Sequence, residues 1–482
     1  MSDSVVANRR GWLILAADLV LFFLLLRWLP FSPVENRGLA LLVFVGVLWL
    51  TEAFHITVTS LMIPLFAIGL GVLSTKAAFA PFAEPVIFMF FGGFVIAAVL
   101  HIQKLDLWIA GHVIRLAGGS LKLTIFYLFA VTAFLSLFVN NTAVAAMMLP
   151  LTLGILRQVD AKKNRKLYAF VLLGIAFSAS IGGIGTLVGS TPNALLATMI
   201  DISFADWLKY GMPVVALMMP AMVLSLWVVL RPDFNVPFNV DIEDIPLDGR
   251  RMFTLVVFAA TAVLLILGKL VVGPLQQLLA LPEPIKNIDS VIAMMAVVVM
   301  CVGGSASWKQ IQEHTEWGVL MLFGGGLVLS IVMKDTGASK ILADSIVAAV
   351  GDQHPVIIML SLTAFVVFLT EFTSNTATAA LLMPIFITVA RTLQLPDIAL
   401  ASIIACGAPK EPDEKIVSEL ESNRNAVGSS AARGADSSPW RRVVMSFTAD
   451  SAVSWWPVIA PMFEMSVVRA SQGAIVPRLP SA

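Results

Sequence analysis

The sequence predicts an all-α polytopic membrane protein built as an inverted repeat, with two re-entrant helical hairpins and broken helices. Three observations lead there. The composition is too apolar for a soluble globule, two apolar stretches of nearly double span length are interrupted by polar residues, and a set of motifs recurs in the same order half a chain later.

Of 482 residues, 58% are hydrophobic and 13% charged, and the mean hydropathy is +0.90. A soluble domain carries roughly 25% charged residues, so this chain has too few charges to coat a globule of its size. A soluble enzyme, a nucleic-acid binder and a disordered scaffold are poor readings. Lys+Arg 31 balances Asp+Glu 31, which leaves no net attraction toward nucleic acid. Two cysteines, Cys301 and Cys406, cannot make a disulfide framework.

A helical span needs about 20 mostly apolar residues. Stretches at 11–30, 38–54, 56–73, 84–102, 168–199, 207–230, 252–272, 286–302 and 316–333 meet that need. The first is no cleavable leader, because it is long, carries Asp18 and Arg27, and runs into another span.

Residues 122–157 and 355–391 behave differently. Each is split at its middle by small polar residues, Asn140, Asn141 and Thr142 in the first and Ser374, Asn375 and Thr376 in the second. Exposed to lipid, those amide and backbone groups would go unsatisfied. A re-entrant hairpin with its tip buried in protein solves the problem. The alternative is one long helix whose polar residues bond to a neighbour. Arg9 and Arg10 before the first span, and Lys162, Lys163, Arg165 and Lys166 after the first hairpin, put both basic clusters on the cytoplasmic side.

The halves resemble each other. Phe91-Gly92-Gly93 returns at Phe323-Gly324-Gly325, an offset of 232 (91 to 323), and Asn141-Thr142-Ala143 returns at Asn375-Thr376-Ala377, an offset of 234 (141 to 375). An amphipathic stretch suited to the membrane interface follows the glycine pair in each half. Five crossings separate the hairpins, an odd number, so the repeats have opposite orientation. Inverted repeats with discontinuous helices at the midplane mark secondary transporters.

Opposed hairpin tips aim helix ends at one point. N-termini suit an anion, while C-terminal carbonyls with Asn and Ser/Thr oxygens suit a hard cation such as Na+. No Lys or Arg lies near either tip, so co-bound cations would supply the charge that holds the anion. A third break lies at 177–193, where Gly182, Gly183, Gly185 and Gly189 with Pro192 argue for an unwound loop facing a cavity; close helix packing by glycines is the alternative.

On these motifs the chain resembles the divalent anion/sodium symporter family, the dicarboxylate, citrate and sulfate carriers, over roughly residues 10–400. The second tip, TEFTSNTATAALLMP, fits the family pattern throughout, whereas Asn140 in the first stands where the family has Ser. The resemblance implies an elevator-like transport domain in a dimeric scaffold. It implies one Na+ held by Ser136, Asn140, Asn141 and a carbonyl in the loop bounded by Gly185 and Gly189, and another to which Thr370, Ser374 and Asn375 contribute. The substrate carboxylates would lie on Asn141, Thr142, Asn375 and Thr376. Scaffold spans and interfacial helices fall at 1–121 and 232–354, transport-domain parts at 122–231 and 355–405, and an atypical polar tail at 406–482. The expected partners are a small anionic substrate, sodium ions, the lipid bilayer of a bacterial inner membrane and a second copy in a homodimer, with no nucleic acid.

From Cys406 the sequence turns charged and rich in Ser, Ala and Gly, as a solvated segment does. The family would continue with a second broken helix that completes the second cation site. A truncated, recombined or frame-shifted end is one expectation, natural variation the other; the former would give a transport-impaired homologue. Sulfate carriage, other inorganic anions, H+ coupling and exchange are the further alternatives. Among membrane carboxylates, Glu371 beside Thr370 is the best functional candidate; Glu52 and Glu84 suit the interface and Asp18 a partner on a neighbouring helix. The five histidines lack metal-ligand spacing and suit span ends, and no hydrolase or phosphate-loop motif occurs.

Overall fold

The computed structural model describes residues 9–156, 159–160, 163–235, 245–278, 280, 282–283, 285–350, 355–370 and 375–406. Every regular element among them is helical. The tail from 407 on, Glu371 and Ser374 lie outside the described residues. The chain divides into two compact units, residues 1–336 and 337–482.

The first unit opens with α1 (Arg9–Trp28), α2 (Pro33–Leu50) and α3 (Ile56–Gly69). Ser32 and Glu35 start α2 with a reciprocal capping box, and Pro33 occupies the first turn, where its missing N–H costs nothing. Gly11, Asp18 and Phe22 form the buried side of α1, and Phe22, Phe44 and Phe66 interlock with ring centroids 4.6–5.5 Å apart. Asp18 is 3% exposed, yet neither carboxylate oxygen finds a hydrogen-bond partner among the described residues; the partner expected on a neighbouring helix is not there. Glu52 and Glu84 are exposed at helix ends, as expected of interfacial residues.

The short α4 (Thr75–Phe79) and a 3-10 turn at Ala80–Ala83 lead into α5 (Pro85–Ile102). Next come α6 (Leu105–Arg115), α7 (Leu121–Ser136), α8 (Asn141–Leu156), α9 (Arg165–Ile184), α10 (Thr191–Ile200) and α11 (Phe204–Leu230). The unit closes with α12 (Gly249–Leu278), α13 (Ile288–Val302), α14 (Trp308–His314) and α15 (Trp317–Asp335). Here α5 packs on α13, α15 on α3, and α7, α8 and α11 all on α9. The glycine pairs allow the closest approaches. A β-carbon on Gly92 would lie 2.6 Å from the Ala293 side chain, one on Gly93 2.5 Å from Val188, one on Gly324 2.3 Å from Phe82, and one on Gly325 2.7 Å from the Ser60 carbonyl oxygen.

The second unit holds α16 (Ala338–Val350), α17 (Pro355–Thr370), α18 (Asn375–Thr392) and α19 (Asp397–Cys406). It repeats the packing of the first: α6 on α8, α7 on α8, and both on α9 correspond to α16 on α18, α17 on α18, and both on α19. An Arg391–Asp397 fork, 2.7 Å at its shortest, closes the turn between α18 and α19.

Among the described residues, seven helical stretches are long and apolar enough to cross a membrane: Arg9–Trp28, Pro33–Leu50, Thr75–Ile102, Arg165–Ile184, Phe204–Leu230, Gly249–Leu278 and Trp317–Asp335. The hairpin arms α7, α8 and α17 are shorter, 16 residues each, below the length of an unaided crossing. The all-α polytopic fold with two broken hairpins is therefore the one the sequence predicts.

Candidate functional site

The first tip is made where α7 stops and α8 starts. The end of α7 tightens, with Leu137 and Phe138 donating N–H to the carbonyls of Phe134 and Leu135. Asn140 then caps α8, its Oδ1 accepting the Thr142 N–H at 3.0 Å and its main-chain oxygen the Val144 N–H at 3.0 Å. The other face of its amide donates from Nδ2 to both oxygens of Glu316, each at 3.2 Å.

Behind the tip, Ser136 and Asn141 meet. Ser136 Oγ lies 2.7 Å from Asn141 Oδ1 and 2.6 Å from the carbonyl oxygen of Ala179 in α9. The hydroxyl thus sits between a side-chain amide oxygen and a main-chain carbonyl oxygen. Both side chains are buried, Ser136 fully and Asn141 to 3% exposure. Glycine makes the approach possible. A β-carbon on Gly183 would fall 2.0 Å from Asn141 Oδ1, and one on Gly189 would fall 2.5 Å from the Ser136 carbonyl oxygen.

The break in α9 spans 185–190, as the glycines there predict. Its freed carbonyls are collected by the helices that follow. Asn193 Nδ2 donates to the carbonyls of Gly183 and Thr186, 2.9 Å each, and the Trp207 indole N–H to that of Ile184 at 2.9 Å. Thr186 Oγ1 donates to the Leu137 carbonyl and accepts the Gly189 N–H at 3.2 Å, tying the broken helix to the hairpin turn. Unwound backbone at membrane depth is thereby satisfied within the protein.

Of the residues expected to hold the first cation, Ser136 and Asn141 are in contact, Gly189 abuts the Ser136 backbone, Gly185 packs against the Leu137 side chain, and Asn140 is turned to Glu316. Thr142 is exposed in the first turn of α8. In the second unit Thr370 ends α17 with its hydroxyl on the Val367 carbonyl at 2.9 Å. Asn375 and Thr376 open α18, and Asn375 Oδ1 is buried without a hydrogen-bond partner among the described residues. Ser374, the remaining expected ligand, is outside them. No group of three or more His, Cys, Asp or Glu among the described residues is arranged to hold a metal ion.

Sequence reasoning missed Glu316, Ala179 and the clasp by Asn193. A backbone carbonyl leaves no sequence signal, and Glu316 lies in a polar turn that reads as ordinary span flank.

The profile of a family described as citrate transporters matches residues 46–405. The chain belongs to the citrate transporter family. This member is a multi-pass membrane transporter, 52% identical over 401 residues to an uncharacterized transporter of Haemophilus influenzae, covering 83% of this chain and 87% of the relative. It is 33% identical over 353 residues to an uncharacterized transporter of Methanocaldococcus jannaschii, 73% of this chain and 78% of that one. A sodium-dependent dicarboxylate transporter, SdcS of Staphylococcus saprophyticus, is 29% identical over 410 residues, 77% and 76% of the two chains. In structure it is similar to the YdaH transporter of Alcanivorax borkumensis, reported to have an unusual topology, with a TM-score of 0.56 at 15% identity over 85% of this chain and 90% of that one. The likeness is one of fold. The family match ends at 405, where the composition of the sequence changes.

Proposed function

We propose that this transporter is a secondary active carrier that imports a divalent organic anion, a di- or tricarboxylate, together with Na+. The observation that carries the reading is the buried gathering of Ser136 Oγ, Asn141 Oδ1 and the Ala179 carbonyl, the hydroxyl lying 2.7 and 2.6 Å from the other two oxygens. Hydroxyl, amide and carbonyl oxygens brought together in this way are the donor set of a hard cation. The name of SdcS, a sodium-dependent dicarboxylate transporter, supports the same reading.

On this reading Ser136, Asn140, Asn141 and a carbonyl of the 185–189 loop hold one Na+, and Thr370, Ser374 and Asn375 contribute to a second. Asn141, Thr142, Asn375 and Thr376 take the carboxylates. The two hairpins and α9–α10 move against the remaining spans in a homodimer of the bacterial inner membrane. Bound cations offset the anion's charge, so neither solute is held well alone, and that interdependence couples their movement.

Uptake of labelled succinate, citrate and sulfate into proteoliposomes, with and without an inward Na+ gradient, is the test. Na+-driven uptake of a carboxylate is the expected result. Uptake indifferent to Na+ but driven by a pH gradient or by internal anion would replace the coupling with H+ symport or exchange, and preference for sulfate would replace the substrate. A second reading, a homologue impaired in transport, draws on the end of the family match at 405. No uptake of any anion until a family-like segment follows residue 405 would favour it.

A further inference from the structure

Asn140, at the first tip, has a side-chain partner far along the chain. Its amide is committed on both faces: Nδ2 to the two Glu316 oxygens at 3.2 Å each, and Oδ1 to the Thr142 N–H at 3.0 Å. Such an amide has one orientation, because turning it over would set oxygen against carboxylate and N–H against N–H. A serine hydroxyl sits one bond nearer the backbone and cannot both cap α8 and reach a carboxylate that distant. Glu316 itself is placed by structure, not by sequence proximity. It lies 176 residues further along the chain, at the N-cap of α15, and is half-buried. Among the described residues no Lys or Arg forms an ion pair with it. Among the described residues its charge is offset by the Asn140 amide and by the N-terminal dipole of α15.

We infer that Glu316 is the positioning and charge-setting residue of the first tip: its carboxylate fixes the Asn140 amide at the start of α8, and its negative charge raises the tip's affinity for a cation. This inference rests on the cation-coupled reading above. The pair Asn140–Glu316 is then one unit.

The experiment measures thermal denaturation of the purified full-length protein in detergent against NaCl, with choline chloride holding ionic strength constant. Binding of Na+ to the folded state raises the melting temperature. Removing a unit charge from a partly dehydrated site is expected to raise the half-effective Na+ concentration about tenfold in Glu316→Gln. Glu313→Gln, an exposed carboxylate on α14, removes an equal charge away from the tip and is expected to leave it unchanged. Asn140→Ser is expected to weaken Na+ binding as well, and in the double variant Asn140→Ser/Glu316→Gln the two losses should fall short of their sum. A Na+ response in Glu316→Gln equal to that of the wild type, or strictly additive losses, overturns the inference while leaving the coupled reading intact. Absence of any Na+ effect on the wild type, in melting or uptake, sinks that reading and the inference with it. Should Glu316→Gln not fold, Glu316→Asp withdraws the same charge by one methylene; an unaltered Na+ response there is equally fatal.

Discussion

Gly183→Ala is the sharpest probe of the first tip. The added β-carbon would lie 2.0 Å from Asn141 Oδ1, 2.7 Å from its Cγ and 2.8 Å from its Nδ2. Non-bonded heavy atoms settle near 3.5 Å, so the whole amide must shift by about an ångström, away from Ser136. Overpacking of a buried site costs about 1–3 kcal/mol, and a buried polar group stripped of its partner about as much again. A combined loss of about 2–6 kcal/mol corresponds to at least a ~30-fold rise in the Na+ concentration that half-saturates uptake. The control is Gly154→Ala in the second arm of the same hairpin, where a β-carbon meets nothing within 4 Å. There the exchange removes a helix-weakening glycine, worth about 1 kcal/mol in the opposite direction. Both variants are to be reconstituted and assayed for uptake over a Na+ series, with melting in detergent alongside. Wild-type half-saturation in Gly183→Ala would refute the argument, because the Asn141 amide could not then be part of the cation niche.

Other outcomes follow from the same geometry. Asn375→Ala and Thr376→Ala should each abolish uptake while the protein still inserts, as judged by membrane fractionation; normal rates would make the second tip structural only. Asn193→Leu removes the donor shared by the Gly183 and Thr186 carbonyls and should cost about 2–5 kcal/mol, with faster amide hydrogen exchange across 185–190; unchanged protection there would mean the loop holds without the clasp. Trp207→Phe deletes one buried indole bond to Ile184 and should cost about 1–2 kcal/mol, read from the melting temperature. Lys269→Ala removes one of the two ammonium partners of Asp206, leaving Lys209, and should change stability by about 1 kcal/mol, read from the melting temperature.

The helices were legible because the bilayer imposes a length and forbids unpaired backbone. Those constraints locate both hairpins, and Gly182, Gly183, Gly185, Gly189 and Pro192 place a broken element at 177–193; the structure narrows the break to 185–190 and keeps Gly182 and Gly183 in α9, where they admit close packing. The constraints miss by a few residues where the hairpin turn sits: the interruption reads as 140–142, whereas α7 ends at Ser136 and Asn141 already begins α8. What the sequence hides is long-range pairing. Ser136 meets Ala179 through a main-chain oxygen, which any residue type would offer. Asn140 meets Glu316 across 176 positions, with no motif to announce it. Asp18 shows the converse, a carboxylate whose apolar setting suggested a partner helix and whose burial comes without a hydrogen-bond partner among the described residues.

The doubled Phe-Gly-Gly motif looks in the sequence like one device used twice. Its surroundings say otherwise. Gly92 and Gly93 receive Ala293 and Val188, while Gly324 and Gly325 receive the Phe82 ring and the Ser60 main chain. The notch is the same in both copies, and each is fitted to a different lodger. Transplanting one glycine-bearing helix into the other's berth would accordingly leave voids on one flank and collisions on the other, so the two halves of this molecule have ceased to be interchangeable parts.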